Sequence, residues 1–209
     1  MQSDMMKVSI DGAVATLTMT RPGKRNAMCE ELLQALDAFF SAPPKDVRVV
    51  ILTGTEGHFC SGLDLSEHVH RSAEDNLYHS RKWHSVMEKI QFGGLAVVSA
   101  MYGAVIGGGL ELAASTHVRI AEPSTIFQLP EGRRGIFVGG GATARVGRLM
   151  GADRMTEMML TGRKYDAETG VALGLAHYAV QEGEAMGLAQ ELAGKIARNA
   201  PLSNYLMIQ

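Results

Sequence analysis

Residues 95–115 read LAVVSAMYGAVIGGGLELAAS. Leu95–Met101 is a short, continuous apolar run of the length of a buried strand. It passes into a glycine-rich stretch ending at Gly107-Gly108-Gly109, and Leu110–Ser115 has the composition of a helix start. The first N–H groups of a helix lack internal partners, and the helix dipole favours negative charge there. Glycines remove the side chains that would block access. Such a strand–glycine–helix junction suits an anion or an oxyanion, and Glu111 stands in the first turn beyond it.

The same strand-to-helix rhythm extends in both directions. Residues 6–10 and 13–19 alternate around Asp11-Gly12, a hairpin signature. Arg21–Asn26 is a loop by composition, and Glu30–Phe40 places Leu32, Leu33, Leu36, Phe39 and Phe40 at helical spacing before Pro43-Pro44. Val47–Thr53 is a second buried-strand run, followed by an irregular Gly54–Gly62. Ser72–Ile90 is a polar stretch that reads as a helix. Past the glycines, His117–Ala121 reads as a strand and Thr125–Gly141 as a loop. Ala142–Met150, Asp153–Leu160, Ala167–Gly174 and Glu182–Asn199 read as helices. Alternation of this kind predicts α/β architecture. Neither a repeat of residue identity nor a low-complexity segment interrupts it.

Composition narrows the function classes. The 209 residues are 46% hydrophobic and 20% charged, which is ordinary globular usage, and the formal net charge of −2 is no footprint for nucleic acid. Cys29 and Cys60 make no disulfide framework. The N-terminus lacks a charged region followed by an apolar one, and no apolar run reaches membrane-spanning length. A protein of the cytoplasm, with no membrane partner, is the expectation.

Two further motifs carry chemistry. Phe59-Cys60-Ser61-Gly62-Leu63-Asp64-Leu65 follows a buried strand, and a glycine there lets the next amide point into a cleft. Gln128-Leu129-Pro130-Glu131-Gly132 sets a carboxylate in a glycine-rich loop that continues to Gly139-Gly140-Gly141. The glycine run at 107–109 is not a dinucleotide fingerprint, and neither a phosphate loop nor a nucleophile elbow is present.

Taken in register, FCSGLDL at 59–65, GAVIGGGLELA at 103–113 and LPE at 129–131 resemble the crotonase (enoyl-CoA hydratase/isomerase) family. So do the RPxxxNA loop at 21–27, the VVILTG strand, the GADRMTEMMLTGR segment and the late NAPLSNY. The resemblance spans essentially the whole chain. It implies a crotonase-like spiral of ββα turns, with a core over residues 1–195 and the start of a C-terminal helical region over 196–209. It implies an acyl-CoA thioester substrate whose carbonyl oxygen is held by the backbone N–H groups of Leu63 and Gly108, each such donor contributing about 3 kcal/mol. It implies Glu131 exchanging the α proton and Glu111 activating water, with no metal or redox cofactor. Lys24 and Arg25 would lie near the CoA nucleotide. Ser61, Gly62, Asp64, Leu65, Gly107, Phe137 and Gly139 would border the substrate. A homotrimer or dimer of trimers is the implied assembly, and fatty-acid breakdown is the commonest setting.

Other readings compete at single positions. Glu111 alone would suit a dipole-complementing carboxylate, Glu131 alone a solvated loop residue, and Asp64 a structural cap. His68, His70, His79 and His84 match no metal-ligand spacing and read as solvated. Cys60 reads as a small buried thiol, and Met155–Met159 as core or subunit interface. Two departures from the family pattern stand out. The loop after Glu131 carries Phe137 and Val138, which would reshape the acyl pocket. The chain also stops at Gln209, before the terminal helices expected of relatives. Two glutamates favour an enoyl-CoA hydratase. An enoyl-CoA isomerase needs only one, and a non-catalytic acyl-CoA-binding subunit needs neither.

Overall fold

The computed structural model describes residues 3–67 and 72–209. Strands β1 (Met6–Asp11) and β2 (Val14–Met19) form the expected antiparallel hairpin, paired from Met6↔Met19 to Asp11↔Val14. Beyond it the chain winds in turns that each supply a long strand, a short strand segment and a helix. The long strands are β3 (Val49–Gly54), β4 (Ala96–Met101) and β6 (Val118–Ala121), and the two-residue β8 (Tyr178–Ala179) follows them. With the hairpin they form a six-stranded sheet in the order β1-β2-β3-β4-β6-β8, parallel from β2 onward. The short segments β5 (Ala104–Ile106) and β7 (Ile126–Gln128) pair in parallel, and Cys60 bridges to Val105 beside them. This is the ββα spiral.

The helices follow from the parallel connections, which require crossovers. They are α1 (Glu30–Ser41), α2 (Ala73–Phe92), α3 (Gly108–Ala114), α4 (Ala142–Met150), α5 (Ala152–Thr161), α6 (Ala167–Ala172), α7 (Ala185–Ala197) and α8 (Pro201–Met207). Helix α2 begins with a reciprocal cap, in which Asp75 N–H donates to the Ser72 hydroxyl and Ser72 N–H to the Asp75 carboxylate. The central strands β3 and β4 are buried on both faces, so they read as continuous apolar runs. Val50, Leu52, Val97 and Met101 face the main core with α1 and α2. Val49, Ile51, Val98 and Ala100 face Ala185, Ala189 and Ala193 of α7, whose small residues admit close packing. The 195/196 boundary expected from the sequence falls in the last turn of α7. Met155 and Met158 are buried in the core.

Three local expectations change. Helix α3 starts at Gly108, two residues before Leu110, so the glycines belong partly to the helix. Thr125–Gly141, expected as loop, contains β7 and a 3-10 turn over Glu131–Arg134. Strand β8 lies where no strand was expected. Strands of two or three residues carry no periodicity, and distant partners define them. His68 and His70 lie outside the described residues, and those residues contain no His/Cys/Asp/Glu group able to hold a metal and no helix long and apolar enough to cross a membrane.

Packing is tight where α3 meets the segment after β3. A Cβ on Gly109 would stand 2.1 Å from the Cys60 carbonyl oxygen, so Gly109→Ala is expected to destabilise the fold by about 1–3 kcal/mol. In α7, Gly194 has nothing within 4 Å of such a Cβ, and Gly194→Ala is expected to stabilise by about 0.5–1 kcal/mol. Urea denaturation of both variants checks the pair, and equal effects would contradict this account of the packing.

Candidate active site

The segment 59–64 is stitched on both sides. Phe59 and Cys60 N–H donate to the carbonyls of Tyr102 and Ala104, and Ile106 N–H donates to Cys60. On the other flank Met28 N–H donates to the Gly62 carbonyl and Asp64 N–H to Met28. Leu63 N–H is left over, and so is Gly108 N–H at the start of α3. Neither donates to any described residue. The two amides converge, because a Cβ on Gly62 would lie 3.0 Å from Gly108 N and one on Gly108 would lie 3.4 Å from Leu63 N. Gly62 (φ +91°) and Gly107 (φ +55°) hold backbone conformations that favour glycine.

Both amides open on a cavity of about 300 Å³ that also receives Glu111 and Glu131. Helix α3 presents Glu111, 3% exposed, whose Oε1 accepts hydrogen bonds from Gly140 N–H and Ala142 N–H, each at 2.9 Å. Burial pushes its carboxyl above the ordinary range, opposed by those amides and by Arg145. Arg145 steadies the donor loop by donating to the Gly140 carbonyl at 3.2 Å and to Gln91 at 2.7 Å. Glu131 differs in having no such clamp. Its Oε2 is buried with no hydrogen-bond partner among the described residues. Burial, reinforced by the nearby Glu111 charge, raises its carboxyl to about 7. A Cβ on Gly107 would lie 2.6 Å from Glu131 Oε1, so that glycine makes room for the carboxylate.

Helix α2 closes the cavity with Asn76, His79, Ser80 and Trp83, at i, i+3, i+4 and i+7 of one face. The loop before α4 adds Ile136, Phe137, Gly139 and Gly140, and Ser80 Oγ donates to the Gly139 carbonyl at 2.7 Å. Of these, only Phe137 and Gly139 stood out in the sequence. The α2 face lies in a stretch that the sequence marks only as a polar helix, in which His79 reads as solvated. Val138, expected to reshape the pocket, is instead buried in the core beside it.

Several other expected substrate neighbours lie off the cavity wall. Asp64 is buried and pairs with Arg21 at 2.6 Å. Burial would raise its carboxyl, but the Ser66 hydrogen bonds and Arg21 outweigh that and hold it down at about 2. It anchors the loop. Lys24 approaches the same carboxylate at 4.0 Å, Arg25 holds a left-handed conformation (φ 51°), and Ser61 Oγ donates to the Lys24 carbonyl. Leu65 is partly exposed in a 3-10 turn. Cys60 is buried, and its thiol is raised to about 12 by desolvation.

Two neighbouring amides on one cavity wall beside two carboxyl groups can hold a developing oxyanion while protons move at adjacent atoms. The family model for enoyl-CoA hydratase/isomerase matches residues 9–207. The chain belongs to that family. It is 34% identical over 206 residues to the short-chain-enoyl-CoA hydratase of Clostridium acetobutylicum, covering 95% of this chain and 77% of that one. It superposes on the enoyl-CoA hydratase of Bacillus anthracis with a TM-score of 0.92 at 30% identity, covering 98% of this chain and 81% of that one. A candidate enoyl-CoA hydratase of Rhodopseudomonas palustris gives 0.96 at 47% identity, with 99% and 80% covered. The crotonase fold is thereby established for the full span of the site.

The elevated Glu131 carboxyl has a consequence for stability. Its folded value lies above the unfolded one, so ionising it costs stability as pH rises from about 4.5 through about 7. Glu131→Gln removes that cost. The variant is expected to gain stability relative to the wild type by about 3 kcal/mol on going from pH 4 to pH 8, read as a widening gap between the two melting temperatures. A gap independent of pH would overturn it.

Proposed function

We propose that the chain is an enoyl-CoA hydratase that adds water reversibly across the C2=C3 bond of a 2-enoyl-CoA. The observation that carries this reading is the meeting of Glu111, Glu131 and two unengaged amides in one cavity. Glu111, fixed by Gly140 and Ala142, takes a proton from water as the water oxygen bonds to C3. The π electrons move through C2 to the thioester oxygen, and the enolate is held by the Leu63 and Gly108 N–H groups. Glu131 then delivers its proton to C2. One proton leaves Glu131 and one arrives on Glu111, so the pair carries a single proton before and after the reaction. The thioester carbonyl is the electron sink, and the reaction calls for no metal or redox cofactor.

The remaining assignments rest on the family resemblance. Lys24 and Arg25, exposed beside the Asp64 anchor, are placed to meet CoA phosphates. The 1–195 core and the 196–209 helical start form one functional unit. A homotrimer or dimer of trimers in the cytoplasm is the proposed form, supported by the exposed Leu202, Leu206 and Met207 on α8.

The second reading is an enoyl-CoA isomerase working through Glu131 alone. The two differ in pH dependence. A hydratase needs one proton on the pair in either direction, so kcat/KM falls on the alkaline side, at or above pH 7, once that proton is lost. A lone Glu131 base must be ionised, so an isomerase rises through about pH 7 and then stays level. Turnover of crotonyl-CoA by absorbance, with 3-enoyl-CoA assayed in parallel, separates them. Glu111→Gln and Glu131→Gln are each expected to lower hydration by about 10²–10⁴. Full isomerase activity in Glu111→Gln without hydration in the wild type would overturn the hydratase reading.

A further inference from the structure

Trp83 is 4% exposed and its ring is wedged at the reacting end of the cavity. A Cβ on Gly108 would stand 2.6 Å from Cη2 and Cζ3, and one on Gly140 would stand 2.8 Å from Cε3. The benzo edge thus touches both the segment offering an oxyanion amide and the loop that clamps Glu111. The opposite edge is tied down, since Trp83 Nε1 donates to His79 Nε2 at 3.1 Å. An indole N–H only donates, so that imidazole nitrogen is the acceptor. The Glu30 carboxylate, 3.8 Å from the same nitrogen, is a neighbour of this bond. An indole pinned at one edge and packed against backbone at the other has little room to rotate.

We propose that Trp83 is a specificity-determining residue that ends the acyl pocket just beyond the reacting carbons, and that His79 is its positioning residue. This deepens the hydratase reading and rests on it. An acyl group whose carbonyl sits between Leu63 N and Gly108 N meets the indole a few carbons on. The cavity of about 300 Å³ is at the small end for ligand sites. The substrate class is therefore short-chain 2-enoyl thioesters. A long chain would have to displace a ring that neither backbone contact allows to move.

The test reads binding as well as turnover. Affinities of saturated acyl-CoAs from C4 to C12 are measured by calorimetry on the full chain, with kcat/KM for C4, C8 and C12 2-enoyl-CoAs in parallel. The wild type is expected to lose at least tenfold in affinity between C6 and C10. Trp83→Leu is expected to abolish that loss and shift the C4-to-C12 kcat/KM ratio at least tenfold toward C12. His79→Ala should move the ratio the same way, and His79→Gln, which keeps an acceptor, should restore it. Circular dichroism establishes folding, and if Trp83→Leu does not fold, Trp83→Phe, lacking the second ring and the N–H, carries the comparison. Affinity that keeps rising with chain length in the wild type, or an unchanged profile in the folded variant, overturns the proposal and leaves the hydratase reading intact. Absence of binding and turnover for every acyl-CoA overturns both.

Discussion

Between Cys60–Leu63 and Ile106–Gly109 the chain passes itself at a separation that excludes Cβ atoms. Built on Gly62, a Cβ would reach 2.6 Å from the Ile106 carbonyl oxygen, and on Gly109 it would reach 2.1 Å from that of Cys60. Contacts this short demand glycine on one side of each crossing. The crossing in turn fixes what the site can offer. With Cys60 N–H donating to the Ala104 carbonyl and Ile106 N–H to that of Cys60, the amides of Leu63 and Gly108 have no backbone partner among the described residues and border the cavity. The unengaged donors are a by-product of the register, and the backbone bonds of Phe59, Cys60, Asp64 and Ile106 hold the segment in place around them.

The carboxylates depend on the same geometry. Glu111 follows Gly108 by three residues, less than one helical turn, so its side chain is set by the helix that supplies the amide. Glu131 comes from the next turn of the spiral, and Gly107 leaves space for it. Burial raises both carboxyl groups, and the Glu111 charge further opposes ionisation of Glu131. A site built this way favours a shared proton between the pair over two charges.

Much of this was legible in the sequence because glycines and carboxylates leave local marks. The GGG run before Glu111, the SGL after β3 and the PEG at 130–132 each signal a special backbone. The buried strands β3 and β4 are plain from their apolar runs, and α1 from its spacing. The α2 wall was not legible. Trp83 lies in phase with Val86, Met87 and Ile90, so its periodicity is that of core, and nothing local shows that its other edge borders a cavity. Strands β5, β7 and β8 were missed because pairing with remote segments defines them. Asp64 was legible as a cap, but its partner Arg21 lies 43 residues away in sequence and only the fold brings them together.

The unequal treatment of the two carboxylates is the feature that most shapes the chemistry. Two backbone N–H groups fix Glu111, so its orientation survives a change of charge. Glu131 has one oxygen with no partner among the described residues, which leaves that atom available to a substrate carbon or its proton. In a hydration, the group that aligns water must hold its direction, because oxygen attack at C3 is directional, whereas the group that exchanges a proton must be bare and must titrate near the working pH. The structure divides those demands between two residues of the same type by giving one of them donors and withholding donors from the other. The two side chains are identical, so the difference in role belongs to their surroundings.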